Sequence, residues 1–493
     1  MRIHYDGPMG GAVLPAQLEG LHVYMVGIKG TGMAALAEIL VANGAHVTGS
    51  DVTERFYTDE LLAKAGIRYH EGFAACNLRD TTPAPALVIH SAAYDPTTHP
   101  ELVEAARLGL PFIGYTDALG SLSRRQPSVG IAGVHGKTTT TALVACIAQR
   151  LGLPGTVLAG SALPDVGGRA TLVQGDGFFV AETCEYRRNF LSFAPTLVVV
   201  TSVEADHLDY FADAADVEDA FVEYVGRLTP SGTLVYCADD PGAGRVAERA
   251  RAARPDVELV PYGLSAAGAG SVEITGRRAG ELACTIGGHP FELRVPGDHN
   301  ALNAAAALLV ARAVNELLDT PVSDRELLAG AGEAIAGFHG TRRRSEVVGE
   351  AGGVLVVDDY AHHPTAIATT LAGFRTFYPD RRIVLSFMSH TYSRTRALLD
   401  GFAEALSAAD VLILHDIYAS AREENPGDVD GRTLADAAAR RTAPVHYVPG
   451  VLDALPLLDR VLEPGDLFVT MGAGNNWQLG PRVLERRAVE VSR

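Results

Sequence analysis

The stretch Gly130-Ile131-Ala132-Gly133-Val134-His135-Gly136-Lys137-Thr138-Thr139 stands between an apolar strand and a helical run over 142–151. Its glycines let the backbone wrap an anion, and the amides of Gly136, Lys137 and Thr138 face phosphate oxygens from a helix N-terminus. A hydroxyl beside the lysine can hold Mg2+. A strict Walker A motif has glycine five residues before Gly136; Ile131 stands there, leaving the shorter Gly-x-x-Gly-Lys-Thr form. A glycine-rich loop can also do no more than turn a strand into a helix, but Lys-Thr at the helix start adds chemistry that such a turn does not need. The stretch reads as a nucleoside triphosphate cradle.

Outward from this loop the chain alternates strand and helix, which predicts an α/β fold with parallel sheets covered on both faces. Three units separate, at 1–124, 125–337 and 338–493. The first opens with a strand over 21–26, passes Gly27, Gly30 and Gly32, continues as a helix over 33–43 and returns as a strand over 45–49 that ends at Asp51. The second follows the polar connection 121–127 and centres on the phosphate loop. The third follows Gly337-Phe338-His339-Gly340, with strands near 354–357, 383–387, 411–414 and 467–470. No short-period repeat is present.

Composition narrows the function. With 493 residues, 47% of them hydrophobic, the chain can bury several cores. A formal charge of −18 and a pI near 5.3 argue against nucleic acid as a partner, while single nucleotides remain compatible. The five cysteines, Cys76, Cys146, Cys184, Cys237 and Cys284, are scattered and odd in number, as in a reducing cytoplasm. No apolar run reaches the length of a membrane span and no signal peptide opens the chain, so a soluble cytoplasmic protein is expected.

The first unit invites a rival reading. Gly30-x-Gly32-x-x-Ala35 after a strand, with Asp51 about twenty residues on, meets the dinucleotide-binding fingerprint. Such a turn reports a diphosphate at a helix N-terminus and a ribose near an acid; NAD and a nucleotide sugar both satisfy it. A second phosphate loop in the same chain favours a phosphate-handling enzyme with two substrates. His90-Ser91-Ala92-Ala93 closes another strand where a crevice ligand would sit.

In the central unit a strand over 177–181 delivers Glu182 and Glu185, and a strand over 197–201 delivers Glu204, Asp206 and His207. A single acid at a strand end is usually just solvated. Two clusters beside a phosphate loop suit Mg2+, which takes a few protein ligands and otherwise keeps phosphate and water oxygens. No serine or cysteine nucleophile is evident, and phosphoryl transfer needs none.

These segments, in this order, resemble the Mur ligases, ATP-dependent peptide-forming enzymes of peptidoglycan synthesis. The resemblance covers the chain after about residue 20 and adds Gly297-Asp298-His299-Asn300-Ala301-Leu302-Asn303, Asp358-Asp359-Tyr360-Ala361-His362-His363-Pro364 and Met471-Gly472-Ala473-Gly474. It implies an N-terminal Rossmann-like domain for a UDP-sugar, a central P-loop domain for ATP and a C-terminal Rossmann-like domain that receives the amino acid and closes. Its alanine-adding branch joins L-alanine to UDP-N-acetylmuramate, as a monomer or homodimer. The runner-up within the family is a recycling branch that attaches a tripeptide to the same sugar nucleotide; outside it stand an NAD oxidoreductase and a nucleotide-binding regulator.

The resemblance also implies roles. Gly133, His135, Gly136, Lys137, Thr138 and Thr139 would cradle ATP, with Lys137 on the β- and γ-phosphates. Thr138 and Glu182 would hold one Mg2+, and His207 a second. Asn300 and Asn303 would line the adenine side, and Arg344 and Asp359 would reach the nucleotide. His363 and Arg394 would receive the amino acid and the acyl-phosphate. Gly27, Gly30, Thr31, Gly32, Asp51, Ser91 and Ala92 would bind the UDP-sugar. Two departures stand out. Thr391 occupies a position where many relatives carry arginine. The only lysines are Lys29, Lys64 and Lys137, so none can serve as the carbamylated lysine of some Mur ligases, which favours the alanine-adding branch.

Overall fold

The computed structural model describes residues 13–207, 210–419, 423, 427–442 and 444–491. The segment ahead of Val13, whose role the sequence leaves open, lies outside them. The chain falls into two compact units: the first runs through Val203 and adds Glu218–Pro261 and Ala306–Ala331; the second holds Glu204–Val217, Tyr262–Ala305 and the chain from Gly332 on.

In the first unit, β1 (His22–Val26), β2 (His46–Asp51), β3 (Arg68–Glu71), β4 (Leu87–His90) and β5 (Phe112–Gly114) form a parallel sheet in the order β3-β2-β1-β4-β5. All five residues of β1 are buried, as a central strand covered on both faces requires. The order reverses between β1 and β4, so the turns leaving these two strands face a crevice at their carboxyl ends. The second sheet joins β6 (Ser128–Ala132), β7 (Thr156–Leu163), β8 (Arg169–Val173), β9 (Phe179–Glu182), β10 (Leu197–Val200), β11 (Thr233–Cys237) and β12 (Glu258–Tyr262) in the order β12-β11-β10-β6-β9-β7-β8. Here β6 lies between the parallel strands β9 and β10. Glu38, on the helix Thr31–Ala42 that covers the first sheet, accepts from Ala170 N and Thr171 Oγ1 of β8, each at 3.0 Å. That buried carboxylate ties the two sheets together.

The second unit has a small antiparallel meander, β13 (Val272–Arg278), β14 (Glu281–Ile286) and β15 (His289–Leu293). Its other sheet holds β16 (Glu346–Ala351), β17 (Val354–Asp359), β18 (Ile383–Met388), β19 (Val411–Leu414), β20 (Val445–Tyr447) and β21 (Leu467–Gly472), in the order β16-β17-β21-β18-β19-β20. Alternate residues feed two cores: Leu355, Val357, Leu385 and Phe387 pack on one face, Val354, Val356, Val384 and Met388 on the other. This two-sided burial is why these strands read as unbroken apolar runs.

Three differences from the sequence reading have physical causes. The meander and the antiparallel pairs β7/β8 and β16/β17 depart from purely parallel sheets; β13 to β15 bury one face only, so their signal is a weak alternation. The phosphate-loop helix spans Lys137–Leu151, five residues earlier than the apolar run suggests, because Thr138, Thr140 and Thr141 are buried within it. Thr141 Oγ1 donates to the Lys137 carbonyl at 2.9 Å, which satisfies its hydroxyl within the buried helix. The first helix begins at Thr31 directly after Gly30, two residues earlier than read.

Candidate active site

Strand β6 ends at Ala132, and the chain must turn there without blocking its neighbour β10. Gly133 and Gly136 take φ of 137° and 84°, conformations that favour glycine. A Cβ at Gly133 would strike Thr201 Oγ1 and lie 2.8 Å from Ser202 N. That close approach lets the end of β10 hold the loop: Val134 N donates to Ser202 O at 3.0 Å, His135 N to Ser202 Oγ at 2.9 Å, and the Thr201 hydroxyl to the His135 carbonyl. Gly136 then opens the helix, whose first N–H groups, at Lys137, Thr138 and Thr139, have no partner within it. With the helix dipole they form a seat for phosphate.

The carboxylates around this seat come from the end of β9 and the turn just after it. Lys137 Nζ donates to the Gly133 carbonyl and to Glu185 Oε2 at 3.0 Å, and Thr138 Oγ1 donates to Glu182 Oε2 at 2.9 Å. Burial works against the Lys137 charge, but Glu185, with Cys184 and Glu182, raises its pKa above the ordinary value, so the ammonium stays charged. Thr138 and Glu182 bring two hard oxygen donors together, the set that suits Mg2+. A Cβ at Gly160 would fall on the Glu182 carboxylate, so glycine there leaves that carboxylate its room.

At the crevice of the first sheet, Gly27 turns with φ 79°; a Cβ there would lie 2.5 Å from Tyr94 Cε2 and 3.0 Å from Ser91 Cβ. The loops after β1 and β4 thus meet, and Ser91 N donates to Val26 O at 3.0 Å, with Ala92 exposed beside it. Gly30 precedes the helix, and Thr31 Oγ1 accepts from Tyr57 Oη at 3.0 Å. Asp51 is buried, and its oxygens accept from Lys29 N at 2.6 Å and Val52 N at 2.7 Å. It therefore shapes the glycine turn. Lys29, given no site role from the sequence, is buried and pairs with Asp59 at 3.1 Å.

In the second unit Arg394 donates through Nε and Nη2 to Asp206 Oδ1, at 3.1 and 2.7 Å, and its Nη1 lies 3.1 Å from His390 Nδ1. Burial alone would raise the Asp206 pKa, but the Arg394 guanidinium beside it holds it well below the carboxylate range. Burial, aided by Arg394, pushes His362 well below the ordinary imidazole value and keeps it neutral. His207 sits at φ 53°, with its N–H on Asp206 Oδ1 at 2.7 Å; strained backbone of this kind concentrates at functional sites. His363 caps the helix Pro364–Phe377, and its Nδ1 lies 3.5 Å from Glu204 Oε1. Asn303 Nδ2 donates to Asn300 Oδ1 at 3.0 Å, both buried. Asp359 accepts from Ser345 N and Ala361 N, each at 2.7 Å, while the Arg344 guanidinium lies over the Tyr360 ring at 5.3 Å. Burial raises the Asp359 pKa against the charge of Arg344.

From the sequence, Glu185 and Asp206 stand in acidic clusters that suit Mg2+; in the structure Glu185 pairs with Lys137 and Asp206 with Arg394. Their partners, Lys137 and Arg394, lie too far away in sequence for spacing to show the pairs.

Fold and site define a phosphate-loop α/β protein with a second, Rossmann-like glycine turn. The chain belongs to the Mur ligase family: residues 22–127 match the family's catalytic domain, 131–311 its middle domain, and 343–474 the Mur ligase, glutamate ligase domain. It is 48% identical over 474 residues to a UDP-N-acetylmuramate–L-alanine ligase of Treponema pallidum (strain Nichols), covering 96% of this chain and 98% of that one. A ligase of the same name from Desulfitobacterium hafniense (strain Y51) is 39% identical, over 93% and 98% of the two chains. Among solved structures, the UDP-N-acetylmuramate-alanine ligase of Thermotoga maritima superposes with a TM-score of 0.74 at 26% identity, over 96% of this chain and 100% of that one.

Proposed function

We infer that this chain is an ATP-dependent ligase that joins L-alanine to UDP-N-acetylmuramate in peptidoglycan synthesis. The observation that carries this reading is a complete phosphate seat, with Lys137, Thr138 and Glu182 together, in a chain 48% identical along 96% of its length to a ligase of that name. Among the described residues no helix is long and apolar enough to cross a membrane, and we place the reaction in the cytoplasm.

A carboxylate oxygen of the sugar nucleotide attacks the γ-phosphorus of ATP, and the bond to the bridging oxygen breaks to release ADP, leaving an acyl-phosphate. The alanine amine then attacks the acyl carbon, phosphate departs, and the nitrogen loses a proton. Lys137 exchanges its contacts with Gly133 and Glu185 for phosphate oxygens and offsets the charge of the transferring group. Thr138 and Glu182 are the residues that would hold Mg2+, with His207 serving a second ion; such ions neutralise phosphate charge when bound. Gly133, His135, Gly136 and Thr139 shape the ATP seat, Asn300 and Asn303 the adenine side, and Arg344 and Asp359 a further nucleotide contact. Gly27, Gly30, Thr31, Gly32, Asp51, Ser91 and Ala92 take the UDP-sugar. His363 and Arg394 receive the amino acid, Arg394 meeting its carboxylate.

The test is mass spectrometry of the product formed from UDP-N-acetylmuramate, ATP and equal amounts of L-alanine and the L-alanyl-γ-D-glutamyl-diamino acid tripeptide. The L-alanine adduct should dominate, with phosphate release requiring both acceptor and sugar nucleotide. Preferential tripeptide incorporation would move the chain to the recycling branch.

A further inference from the structure

A Cβ at Gly32 would lie 2.7 Å from Tyr115 Oη and 2.8 Å from Tyr115 Cζ. The phenol therefore reaches the N-terminal turn of the helix Thr31–Ala42, where backbone N–H groups point outward for an anion. Tyr115 comes from across the crevice. It follows β5 and opens the helix Tyr115–Ser123, whose start is fixed by Gly114 N donating to Asp117 Oδ2 at 3.2 Å.

The same helix is wedged against the loop between β9 and β10 of the phosphate-loop sheet. A Cβ at Gly120 would fall on the Ser192 carbonyl, Arg124 Nη1 donates to that carbonyl at 3.3 Å, and Ala194 N donates to Ser123 Oγ at 3.0 Å. Tyr115 thus stands at the start of a helix anchored on the loop between β9 and β10. Its hydroxyl has no hydrogen-bond partner among the described residues. Burial, with the charge of Glu182, raises its pKa above the ordinary phenol value, so at neutral pH it keeps its hydrogen and can donate. A packing tyrosine needs none of this: a phenylalanine would fill the same space, without a polar atom against Gly32.

We propose that Tyr115 donates its hydroxyl hydrogen to the diphosphate of the sugar nucleotide, completing the anion site begun by the turn at Gly27 to Gly32. This rests on the reading that the first glycine turn takes a uridine diphosphate. Tyr115 is a binding residue whose helix is anchored on the phosphate-loop side, so it also sets the direction in which the rest of the substrate leaves the turn.

The test is Tyr115→Phe in the full chain, titrated by calorimetry with UDP, with UDP-N-acetylmuramate and with a non-hydrolysable ATP analogue. Loss of one hydrogen bond to a charged group should weaken UDP and UDP-N-acetylmuramate alike, by about 10- to 100-fold. Binding of the ATP analogue should not change, which also shows that the variant is folded. In steady state the KM for the sugar nucleotide should rise by a similar factor while kcat holds within about twofold. Equal UDP affinity in wild type and variant overturns the proposal, as does a loss confined to UDP-N-acetylmuramate or one shared with the ATP analogue. A wild type that binds NAD but no uridine nucleotide overturns instead the reading beneath it.

Discussion

Replacing Asp206 with Asn removes one charge from a buried pair and little else. The two side chains are 8% and 9% exposed, and the shortest contact is 2.7 Å. At an effective dielectric constant of about 20, unit charges at that separation attract by about 6 kcal/mol. Desolvation of both ions offsets much of this, and removing one partner of a buried pair costs about 3–5 kcal/mol because the other charge is stranded. Asparagine keeps an oxygen for Arg394 Nε, Arg394 Nη2 and His207 N, which puts the loss near about 3 kcal/mol. For a unit of this size that corresponds to a fall in Tm of about 6–12 °C at pH 7. Acid supplies a second arm. An unfolded Asp takes up its proton near pH 3.8, while the folded Asp206 holds off protonation until well below that. The stabilisation is therefore complete above about pH 5 and is lost as pH falls towards the folded pKa, so the gap between wild type and variant should narrow on acidification. Asp206→Asn/Arg394→Met, with no stranded charge, should recover part of the loss. Thermal denaturation of the three proteins decides the matter. A single variant within about 1 °C of wild type, or a double variant no more stable than the single, refutes the reasoning.

Lys137→Ala should cut turnover by about 100- to 1,000-fold, and because it strands Glu185, adding Glu185→Gln should restore stability and no activity. Near-normal turnover in the folded single variant removes the loop from the mechanism. Gly133→Ala places a Cβ on Thr201 Oγ1 at a φ of 137° and should cost about 1–3 kcal/mol, read as a lower denaturant midpoint with weaker binding of an ATP analogue. Burial lowers the pKa of His22, His90, His99, His362 and His415. The unfolded chain takes these protons near pH 6.5 and the folded one does not, so stability should fall as pH drops below about 6.5, by at most about 1.4 kcal/mol per pH unit for each group. A Tm that stays level from pH 7 to 5.5 would contradict this, and His415→Gln should flatten the slope. Glu182→Ala should raise the Mg2+ concentration needed for half-maximal turnover, and an unchanged requirement would take Glu182 out of the metal site.

Local order determined what the sequence by itself could settle. The two-sided apolar runs at Val411–Leu414 and Leu467–Gly472 announce parallel strands because both faces of such a sheet are buried. The Gly133 to Thr138 turn announces a phosphate seat because glycine torsions, helix-start amides, lysine and a hydroxyl are all encoded within six residues. Family membership was legible for the same reason, since each of its motifs is short and their order is linear. Tertiary structure alone decided which charges meet. Asp206 and Arg394 stand 188 positions apart, and nothing in the spacing of Glu204-Ala205-Asp206-His207 says which acid takes the arginine. Lys137 and Glu185 come together only because β6 and β9 lie side by side, and Tyr115 reaches Gly32 only because the strand order reverses between β1 and β4. Backbone torsions and helix starts depend on neighbours a few residues away. Ion pairs, buried hydroxyls and the clearance beside a glycine depend on which strands the sheet places next to each other.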